Sequence, residues 1–437
     1  LPVYLPVKIS RILKKGRLDS IILAMPSISR KRRREILDKL ERYNVKVQTI
    51  PGLVDIVSGK SEISDLKQVE IQDLLGRDPV QPDPELLTKN TRQKSVLVTG
   101  AGGSIGSELC RQILQSSPEQ LILFEVSEYN LYKVFNELQT LQDALSSKAQ
   151  IIPVLGTVQD RQHISQIIET YDIETIYHAA AYKHVPLVEV NSLEAIKNNI
   201  FGTLNTARAA SKNGVETFVL ISTDKAVRPA NIMGASKRVA EKVIQSVSMT
   251  DANKTKFCYV RFGNVLGSSG SVIPLFREQI KEGGPVTVTH PDITRYFMSI
   301  PEAVQLVLQS GALAEDGDAL VLDMGEPVNI LDMAKKMIRL TGLEPIFPGE
   351  ENGDIEIKFT GLRPGEKLYE ELFINFDHTA PTRHSRIFRE KYSELEKAGD
   401  FNHKILELER LVFQEKLKQP ESLLFDLVQD TQYFKAA

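Results

Sequence analysis

The sequence has few cysteines, little excess charge and no long apolar run. Cys110 and Cys258 each lie within an apolar stretch, which favours two buried thiols in a reducing compartment over a disulfide or a metal pair. The formal net charge of −3 argues against a nucleic-acid partner. No stretch of about 18 apolar residues predicts a membrane-spanning helix, and no signal segment begins the chain. We therefore predict a cytoplasmic chain without a metal site.

What is present is the composition of an ordinary globular protein, with 42% hydrophobic and 25% charged residues. A chain of 437 residues is expected to form two or three folded units. We predict a partial α/β domain with a linker over residues 1–90, a nucleotide-binding domain over 91–266, a smaller lobe over 267–391 and a helical tail over 392–437. The chain starts at Leu1 in what looks like the middle of an α/β unit, so we expect that an upstream portion was removed.

Strand and helix patterns alternate regularly after residue 90. The predicted strands are 95–99, 120–125, 149–155, 175–178, 217–221 and 256–261. A helix-length segment follows each strand, which predicts an α/β fold with a doubly wound, mostly parallel sheet of the Rossmann type. In the first 90 residues, strands at 20–25 and 46–50 flank a charged helix at 30–43. The basic run 30–34 in that helix could face an anionic membrane, but a solvated surface is the favoured interpretation.

A glycine-rich turn, TGAGGSIG at 99–106, follows the first of these strands. Gly100, Gly103 and Gly106 permit a tight turn, the close approach of a pyrophosphate and tight packing of helix on strand. A helix begins near Ser104 and Ile105, and its N-terminus attracts negative charge. These features predict a dinucleotide-binding site.

Glu125 ends the next strand and bears on which dinucleotide binds. A carboxylate at this place can accept hydrogen bonds from the adenosine ribose hydroxyls and would repel a 2′-phosphate. The sequence therefore predicts NAD rather than NADP.

Five further motifs identify a family. His178-Ala-Ala-Ala181 and Ser222-Thr-Asp-Lys225, with the glycine turn, resemble the extended short-chain dehydrogenase/reductase superfamily. The motifs AYKHVP at 181–186, RFGNVLG at 261–267 and GLRPGEK at 361–367 resemble the nucleotide-sugar 4,6-dehydratases of bacterial polysaccharide biosynthesis, and this resemblance spans residues 94–372. The region before it resembles the domain that precedes the catalytic unit in the large, membrane-anchored members.

The resemblance implies tightly bound NAD that is recycled in each turnover, a UDP-sugar substrate and a homo-oligomer. For the full-length protein it implies a place at the cytoplasmic face of the inner membrane, with membrane contact only through the upstream segment. For the substrate lobe it implies a position interleaved with the Rossmann sheet.

Thr223, Asp224 and Lys225 are the candidate catalytic residues, because open α/β sheets bind ligands at the C-terminal ends of their strands. By resemblance, Asp224 is the acid for the C6 hydroxyl of the sugar, Lys225 is the base at C5, and Thr223 binds the C4 oxygen. A lysine acts as a base only where burial or nearby positive charge lowers its pKa, and Lys237 could supply that charge. A solvent-exposed ion pair is the alternative interpretation.

Met233 lies four residues before Lys237, at a position where the superfamily usually has tyrosine. A thioether has no proton to exchange, so the base for C4 oxidation stays open between Asp224, Thr223 through a water molecule, and Tyr182. The large dehydratases share this methionine. Lys237 is still expected to hold the nicotinamide ribose.

The remaining candidates are contacts of the cofactor and of the sugar nucleotide. For the cofactor they are Thr157, Val158, Ala179, Ala180 and Ala181; many relatives carry an aspartate near Thr157, so the adenine contact departs from the pattern. For the sugar nucleotide they are Lys183, His184, Asn264, Thr287, Val288, Thr289, Arg295, Arg363 and Glu366. The resemblance assigns Asn264 to the diphosphate and 287–289 to uracil. The guanidinium groups of Arg295 and Arg363 match phosphate oxygens, and Glu366 could accept from the uridine ribose.

The sequence as a whole predicts a hydro-lyase. Its expected reaction is NAD-dependent 4,6-dehydration of UDP-N-acetylglucosamine, with retention at C5, to UDP-2-acetamido-2,6-dideoxy-α-D-xylo-hexos-4-ulose. Inversion at C5, a nucleotide-sugar 4-epimerase and a non-catalytic NAD-sensing protein remain alternatives.

Overall fold

The computed structural model describes residues 8–13, 18–25, 27–50, 67–69, 71–75, 77, 80–250, 253–268, 270–374, 378–390, 398–414 and 420–428. The chain divides into two compact units. Unit 1 comprises residues 1–79, 264–299 and 325–363, and unit 2 comprises 80–263, 300–324 and 364–437. The four consecutive domains expected from the sequence stay a prediction, and parts of the predicted linker and tail lie outside the described residues.

The strands in chain order are β1 Ser20–Leu23, β2 Lys46–Thr49, β3 Lys67–Gln68, β4 Ser95–Thr99, β5 Gln120–Glu125, β6 Gln150–Leu155, β7 Thr175–His178, β8 Thr217–Ile221, β9 Lys256–Arg261, β10 Asn264–Leu266, β11 Val286–Val288, β12 Thr294–Arg295, β13 Phe297–Ser299, β14 Asp318–Leu322, β15 Val328–Asn329, β16 Pro345–Ile346, β17 Ile355–Phe359, β18 Thr379–Pro381 and β19 Ile387–Glu390.

The α-helices are Ile9–Leu13, Arg30–Glu41, Ile71–Leu75, Pro84–Thr88, Ser104–Gln115, Glu128–Leu145, Arg161–Thr170, Val185–Glu189, Ser192–Ala195, Gly202–Asn213, Ile232–Ser248, Val272–Lys281, Ile300–Leu313, Ile330–Leu340, Ala398–Phe413 and Glu421–Val428. The described residues also include a π-helix, Ile196–Phe201, and a 3₁₀ turn, Asp224–Ala226. Among these described helices, none has both the length and the apolar character needed to cross a bilayer.

Unit 2 is built on a nine-stranded sheet in the order β18-β19-β14-β9-β8-β7-β4-β5-β6. The strands from β14 to β6 are parallel, whereas β19 and β18 are antiparallel additions at one edge. This confirms the predicted Rossmann-type α/β fold. The chain runs outward from β4 to β6, then returns to β7 on the other side of β4. Ligands of such sheets bind where the strand order reverses, at the carboxyl ends of β4 and β7.

The helix Ile232–Ser248 forms the centre of the layer beside the sheet of unit 2. Every residue from Ile232 to Val247 is buried, since the helix packs against Gly202–Asn213 and Glu421–Val428. Behind it, Phe218 and Phe257 on neighbouring strands place their ring centroids 5.3 Å apart. Such close packing fixes the start of this helix, which lies against the turn that carries Asp224 and Lys225.

Unit 1 contains the small sheet β1-β2-β3, in which β1 and β2 are parallel. Ser29 caps the N-terminus of the helix Arg30–Glu41, because its hydroxyl accepts from the Arg32 backbone N at 3.2 Å. The helix ends two residues before the predicted position. Several guanidinium groups of its basic run are paired, including Arg33 with Asp73 at 2.8 Å. The helix Ile330–Leu340 also joins this region, because its Arg339 pairs with Glu41 at 3.2 Å.

Candidate active site

In the glycine turn of unit 2, backbone segments approach each other so closely that no Cβ atom would fit between them. Gly100 has φ +67°, and a Cβ there would lie 2.8 Å from the Ala180 Cα. A Cβ at Gly106 would lie only 2.0 Å from the Gly100 carbonyl oxygen. Gly103 precedes the helix Ser104–Gln115 without a capping side chain, so the first amide groups of that helix stay available to an anion. Ser104 and Ile105 form its first turn. The turn therefore fits a dinucleotide pyrophosphate.

Glu125 is bound to the same turn. Its Oε2 accepts from the Gly102 backbone N at 2.9 Å, and its Oε1 accepts from the backbone N of Val126 at 3.1 Å and of Ser127 at 3.0 Å. Three amide donors fix this carboxylate beside the glycine turn, where a ribose would lie. The arrangement is compatible with the predicted contact to ribose hydroxyls.

Substituting Gly106 with alanine tests the cofactor turn. The added methyl group meets a backbone oxygen that cannot move alone, and overpacking of this kind costs about 1–3 kcal/mol. Since the displaced backbone would face the pyrophosphate of a dinucleotide bound at this turn, we expect NAD affinity to fall by roughly tenfold or more, measured by calorimetric titration of the cofactor-stripped protein. Gly103→Ala, whose Cβ would lie 3.3 Å from the same oxygen, should lose less. Equal losses would contradict the steric argument.

The alanine run Ala179, Ala180 and Ala181 follows β7 beside the glycine turn. Ala179 N donates to the Thr99 carbonyl at 3.1 Å, which joins the ends of β7 and β4. His178 at the end of β7 is buried, with Nδ1 2.8 Å from the Thr99 hydroxyl and Nε2 3.1 Å from the Thr203 hydroxyl. Burial lowers the pKa of His178 to about 3, so this ring is neutral near pH 7. His178 therefore serves the structure of the site.

Asn199 also holds this loop, and sequence reasoning missed it. It lies fully buried in the π-helix Ile196–Phe201. Its Oδ1 accepts from the Tyr182 N at 2.8 Å, and its Nδ2 donates to the Tyr182 carbonyl at 3.0 Å and to the Ser236 hydroxyl at 3.0 Å. The side chain thereby ties the segment after the alanine run to the helix Ile232–Ser248. An isolated asparagine in a helix gives no sequence signal for such a role.

Thr157 and Val158 follow β6. Thr157 Oγ1 accepts from the Gln159 N at 3.3 Å, and its carbonyl accepts from the Asp160 N at 3.0 Å. Val158 is buried, and a Cβ at Gly202 would approach its Cγ2 to 2.6 Å. These residues form a turn ahead of the helix Arg161–Thr170, and a contact with adenine stays a prediction.

Thr223, Asp224 and Lys225 lie together at the carboxyl end of β8. Asp224 is fully buried; its Oδ1 accepts from the Thr223 hydroxyl at 2.8 Å and from Lys225 Nζ at 3.1 Å, while its Oδ2 has no hydrogen-bond partner among the described residues. A buried, unsatisfied carboxylate oxygen commonly marks a functional position. The Thr223 hydroxyl donates to Asp224 here, rather than standing free for the C4 oxygen.

Glu370 belongs to the same group, although the sequence analysis did not single it out. Its Oε1 lies 3.3 Å from Lys225 Nζ, and its side chain is only 3% exposed. The amine of Lys225 is therefore flanked by two buried carboxylates rather than one. The acid of this ion pair is fully buried and the Lys225 side chain is 21% exposed, so the pair is not the solvent-exposed pair of the alternative interpretation.

Lys237 and Met233 lie in the first turns of the helix Ile232–Ser248. Lys237 is buried and its Nζ donates to the Ile221 carbonyl at 2.7 Å. Burial lowers the pKa of Lys237 to about 8. Met233 is buried in the main apolar core of unit 2, so the position that usually carries tyrosine contributes packing. Gly234 beside it permits contact with the turn, because a Cβ would lie 2.3 Å from the Lys225 carbonyl oxygen.

A buried ion network lies directly behind the catalytic candidates. Glu241 accepts from the Ser222 hydroxyl at 2.6 Å, from Arg261 Nε at 2.7 Å and from Arg238 Nη1 at 3.0 Å. Arg261 also binds Glu390 at 2.5 Å, and both its partners are almost fully buried. The arginines and the serine outweigh burial and lower the pKa of Glu241. The network fixes the residue that immediately precedes Thr223.

The candidates for sugar-nucleotide binding do not form one group within a unit. Asn264, Thr287, Val288, Thr289, Arg295 and Arg363 belong to unit 1, whereas Lys183, His184 and Glu366 belong to unit 2. Asn264 N donates to the Tyr296 carbonyl at 3.1 Å. The Thr287 hydroxyl accepts from Gln279 Nε2 at 2.9 Å, and Arg295 Nη1 donates to the Thr294 carbonyl at 2.7 Å.

Side-chain exposure separates these candidates. Lys183, His184 and Arg363 are exposed, whereas Val288 is buried in β11. A buried valine can offer a ligand only its backbone. Each contact with the sugar nucleotide stays a prediction. Within the described ranges, no three His, Cys, Asp or Glu side chains are placed to hold a metal ion.

Comparison with known proteins identifies the family to which this chain belongs. The model of a family described as "Polysaccharide biosynthesis protein" matches residues 96–392. The capsular polysaccharide biosynthesis protein CapD of Staphylococcus aureus is 50% identical over 384 residues, which cover 88% of this chain and 62% of CapD. The chain thus spans about three fifths of the length of this relative.

Two solved structures share the fold. Pen from Bacillus thuringiensis is 34% identical with a TM-score of 0.61, over 70% of this chain and 89% of Pen. DesIV from Streptomyces venezuelae, a dTDP-glucose 4,6-dehydratase with NAD and DAU bound, is 19% identical with a TM-score of 0.53, over 64% of this chain and 88% of DesIV. At that identity the likeness to DesIV shows the fold alone. This chain belongs to the polysaccharide biosynthesis protein family and has the fold of the extended short-chain dehydrogenases/reductases.

Proposed function

We propose that this chain catalyses the NAD-dependent 4,6-dehydration of a nucleotide sugar, with UDP-N-acetylglucosamine as the substrate. The observation that carries the proposal is the ion pair between the buried Asp224 and the partly exposed Lys225 at the carboxyl end of β8. The strand lies next to β7 in the sheet, and β7 lies next to β4, which leads into the glycine turn. A carboxyl group and an amine at this edge suit a reaction that needs an acid and a base over one sugar ring.

NAD held at the glycine turn would supply the redox chemistry, the oxidation at C4 and the later reduction at C6. The proton of the C4 hydroxyl would pass to one of three groups: Asp224, Thr223 through a water molecule, or Tyr182. Once C4 is a ketone, the C5 proton is acidic. The Lys225 amine removes that proton, and Asp224 delivers a proton to the C6 hydroxyl, which leaves as water. The unsatisfied Oδ2 of Asp224 is the oxygen available for this delivery. The Thr223 hydroxyl orients the carboxyl through its bond to Oδ1.

Retention at C5 rests on the family resemblance and forms part of this proposal. It requires that the proton returns to C5 from the side on which the base stands. Inversion would require a donor on the opposite face. Retention therefore requires Lys225 to accept the proton from C5 and later to return a proton to C5.

The test is mass spectrometry of the product from a panel of UDP-sugars, without added cofactor. We expect UDP-N-acetylglucosamine to give a product lighter by one water, with turnover sustained by NAD that remains bound. A product of unchanged mass would identify a 4-epimerase, and no product from any sugar would support a non-catalytic NAD-binding protein. Proton NMR coupling constants of the product made in D₂O distinguish retention from inversion at C5.

We also propose that the chain forms a homo-oligomer, and that the full-length protein works at the cytoplasmic face of the inner membrane. Light scattering of the purified chain measures the first, and fractionation of cells that express the full-length protein measures the second.

A further inference from the structure

Lys225 lies between two carboxylates that come from different parts of unit 2. Its Nζ is 3.1 Å from Asp224 Oδ1 on its own turn and 3.3 Å from Glu370 Oε1. The side chains of the two acids are 0% and 3% exposed, whereas that of Lys225 is 21% exposed. The amine is thus the most accessible of the three groups, and both carboxylates contact it from the buried side.

Glu370 is held in place by the segment 364–374, which is anchored along its length. Asn231 Nδ2 donates to the Gly365 carbonyl at 2.9 Å, and Lys367 Nζ donates to the Val227 carbonyl at 2.8 Å. At the far end, the Ile374 N donates to Glu390 at 2.6 Å, within the ion network. The first two anchors reach residues that immediately surround the turn of Lys225. The hydrogen bonds of this segment therefore fix the contact between Glu370 and Lys225 in unit 2.

We infer that Glu370 is a positioning residue for Lys225, an inference that rests on the proposed function. Between two buried carboxylates the amine carries a proton at rest, since the opposite charges are close and poorly solvated. The reactive pair forms when a proton moves from Lys225 Nζ to the Asp224 carboxylate: one N–H bond breaks, one O–H bond forms, and an ion pair becomes a neutral amine beside a neutral acid. The Glu370 side chain accepts a hydrogen bond from the neutral amine, which keeps Nζ in place after its ion pair with Asp224 has gone.

Charges on the neighbouring elements fix the direction of the expected pH effect. The turn itself contributes Asp224, the segment 364–374 contributes Glu370 and Lys367, and the helix Ile232–Ser248 contributes Lys237. The two carboxylates are in direct contact with the amine. Lys237 donates to a backbone carbonyl, and Lys367 donates to a backbone carbonyl and to the Glu371 carboxylate. Removal of the Glu370 charge therefore makes the fully protonated Lys225–Asp224 pair less stable, and that pair gives up its extra proton at lower pH.

The Glu370→Gln variant tests this inference, because glutamine keeps the size and one acceptor oxygen but removes the charge. We expect the acid-side limb of the kcat/KM profile to move to lower pH by about one unit. We expect kcat to fall by about tenfold with an unchanged KM for UDP-N-acetylglucosamine and unchanged NAD content, because a misplaced general base loses part of its contribution. Glu370→Asp, which keeps the charge, should restore the position of the limb.

Glu371→Gln is the matched control. Its carboxylate pairs with Arg228 at 2.5 Å and Lys367 at 3.0 Å, and its side chain is 41% exposed. The control should leave the profile in place. A loss of folded enzyme that is equal at every pH lowers the whole profile without moving its limb, so circular dichroism at each pH separates partial unfolding of Glu370→Gln from a shifted limb. An unshifted limb in Glu370→Gln overturns the inference. If wild-type protein forms no dehydrated product, the proposed function fails instead.

Discussion

Lys225→Ala is expected to lower the turnover of UDP-N-acetylglucosamine by about 100-fold to 10,000-fold, the usual contribution of a positioned acid or base. The amine lies 3.1 Å from Asp224, at the sheet edge beside the glycine turn. Alanine removes the group that takes the C5 proton and leaves Asp224 without its cation. The glycine turn lies on other elements, so NAD content should not change. Product mass spectrometry and the absorbance of released NAD measure the two quantities.

Lys335→Ala is the control for this substitution. Lys335 pairs with Asp332 at 3.3 Å on the helix Ile330–Leu340 in unit 1, and the Asp332 side chain is 72% exposed. An exposed pair of this kind contributes about 0–1 kcal/mol to stability, so turnover should be unchanged. If Lys225→Ala kept the turnover of the wild type, Lys225 would not be the base.

Arg261→Met is expected to lower the free energy of unfolding of the chain by about 3–5 kcal/mol. The guanidinium is fully buried and binds two carboxylates, Glu241 at 2.6 Å and Glu390 at 2.5 Å. Methionine fills much of the volume but leaves both acids without their shared cation. Charges that are buried without compensation are strongly destabilising. Urea unfolding followed by circular dichroism measures the change.

Arg339→Met provides the comparison. Arg339 also bridges two acids, Glu41 at 3.2 Å and Glu344 at 3.3 Å, but its side chain is 30% exposed. Water solvates these charges after the substitution, so the loss should be about 1 kcal/mol or less. Similar losses of unfolding free energy in the two variants would contradict the argument that burial makes the charges of the Arg261 network costly to leave unpaired.

The local pattern of the sequence predicted the strands of the Rossmann sheet well. Five of the six predicted strands begin and end at the expected residues, and β6 starts one residue late. Short runs with an apolar centre, such as β4, mark strands that are covered on both faces, and this information is contained in a few consecutive residues. The glycine turn was predictable for the same reason, because its conformation depends on the absence of Cβ atoms at fixed spacing.

The contacts that complete the site were not predictable in this way. Arg261 meets Glu390 across 129 residues of sequence and Glu241 across 20, with no local pattern that pairs them. Glu370 was passed over for the same reason, since one acid in a charged segment resembles any other until its burial is known. Likewise, the assignment of residues 264–299 and 325–363 to the unit of the N-terminal residues follows from contacts, which sequence order does not reveal.

By itself, the sequence determined the α/β fold, the glycine turn and the placement of Thr223, Asp224 and Lys225 at a strand end, because periodicity and parallel-sheet geometry act over short stretches. Only the tertiary structure decided which charges are buried together. It placed Glu370 against Lys225, and it set the Glu241, Arg261 and Glu390 network behind Ser222. The physical reason is that the energy of a charge depends on solvation and on neighbours, and both are properties of the packed chain.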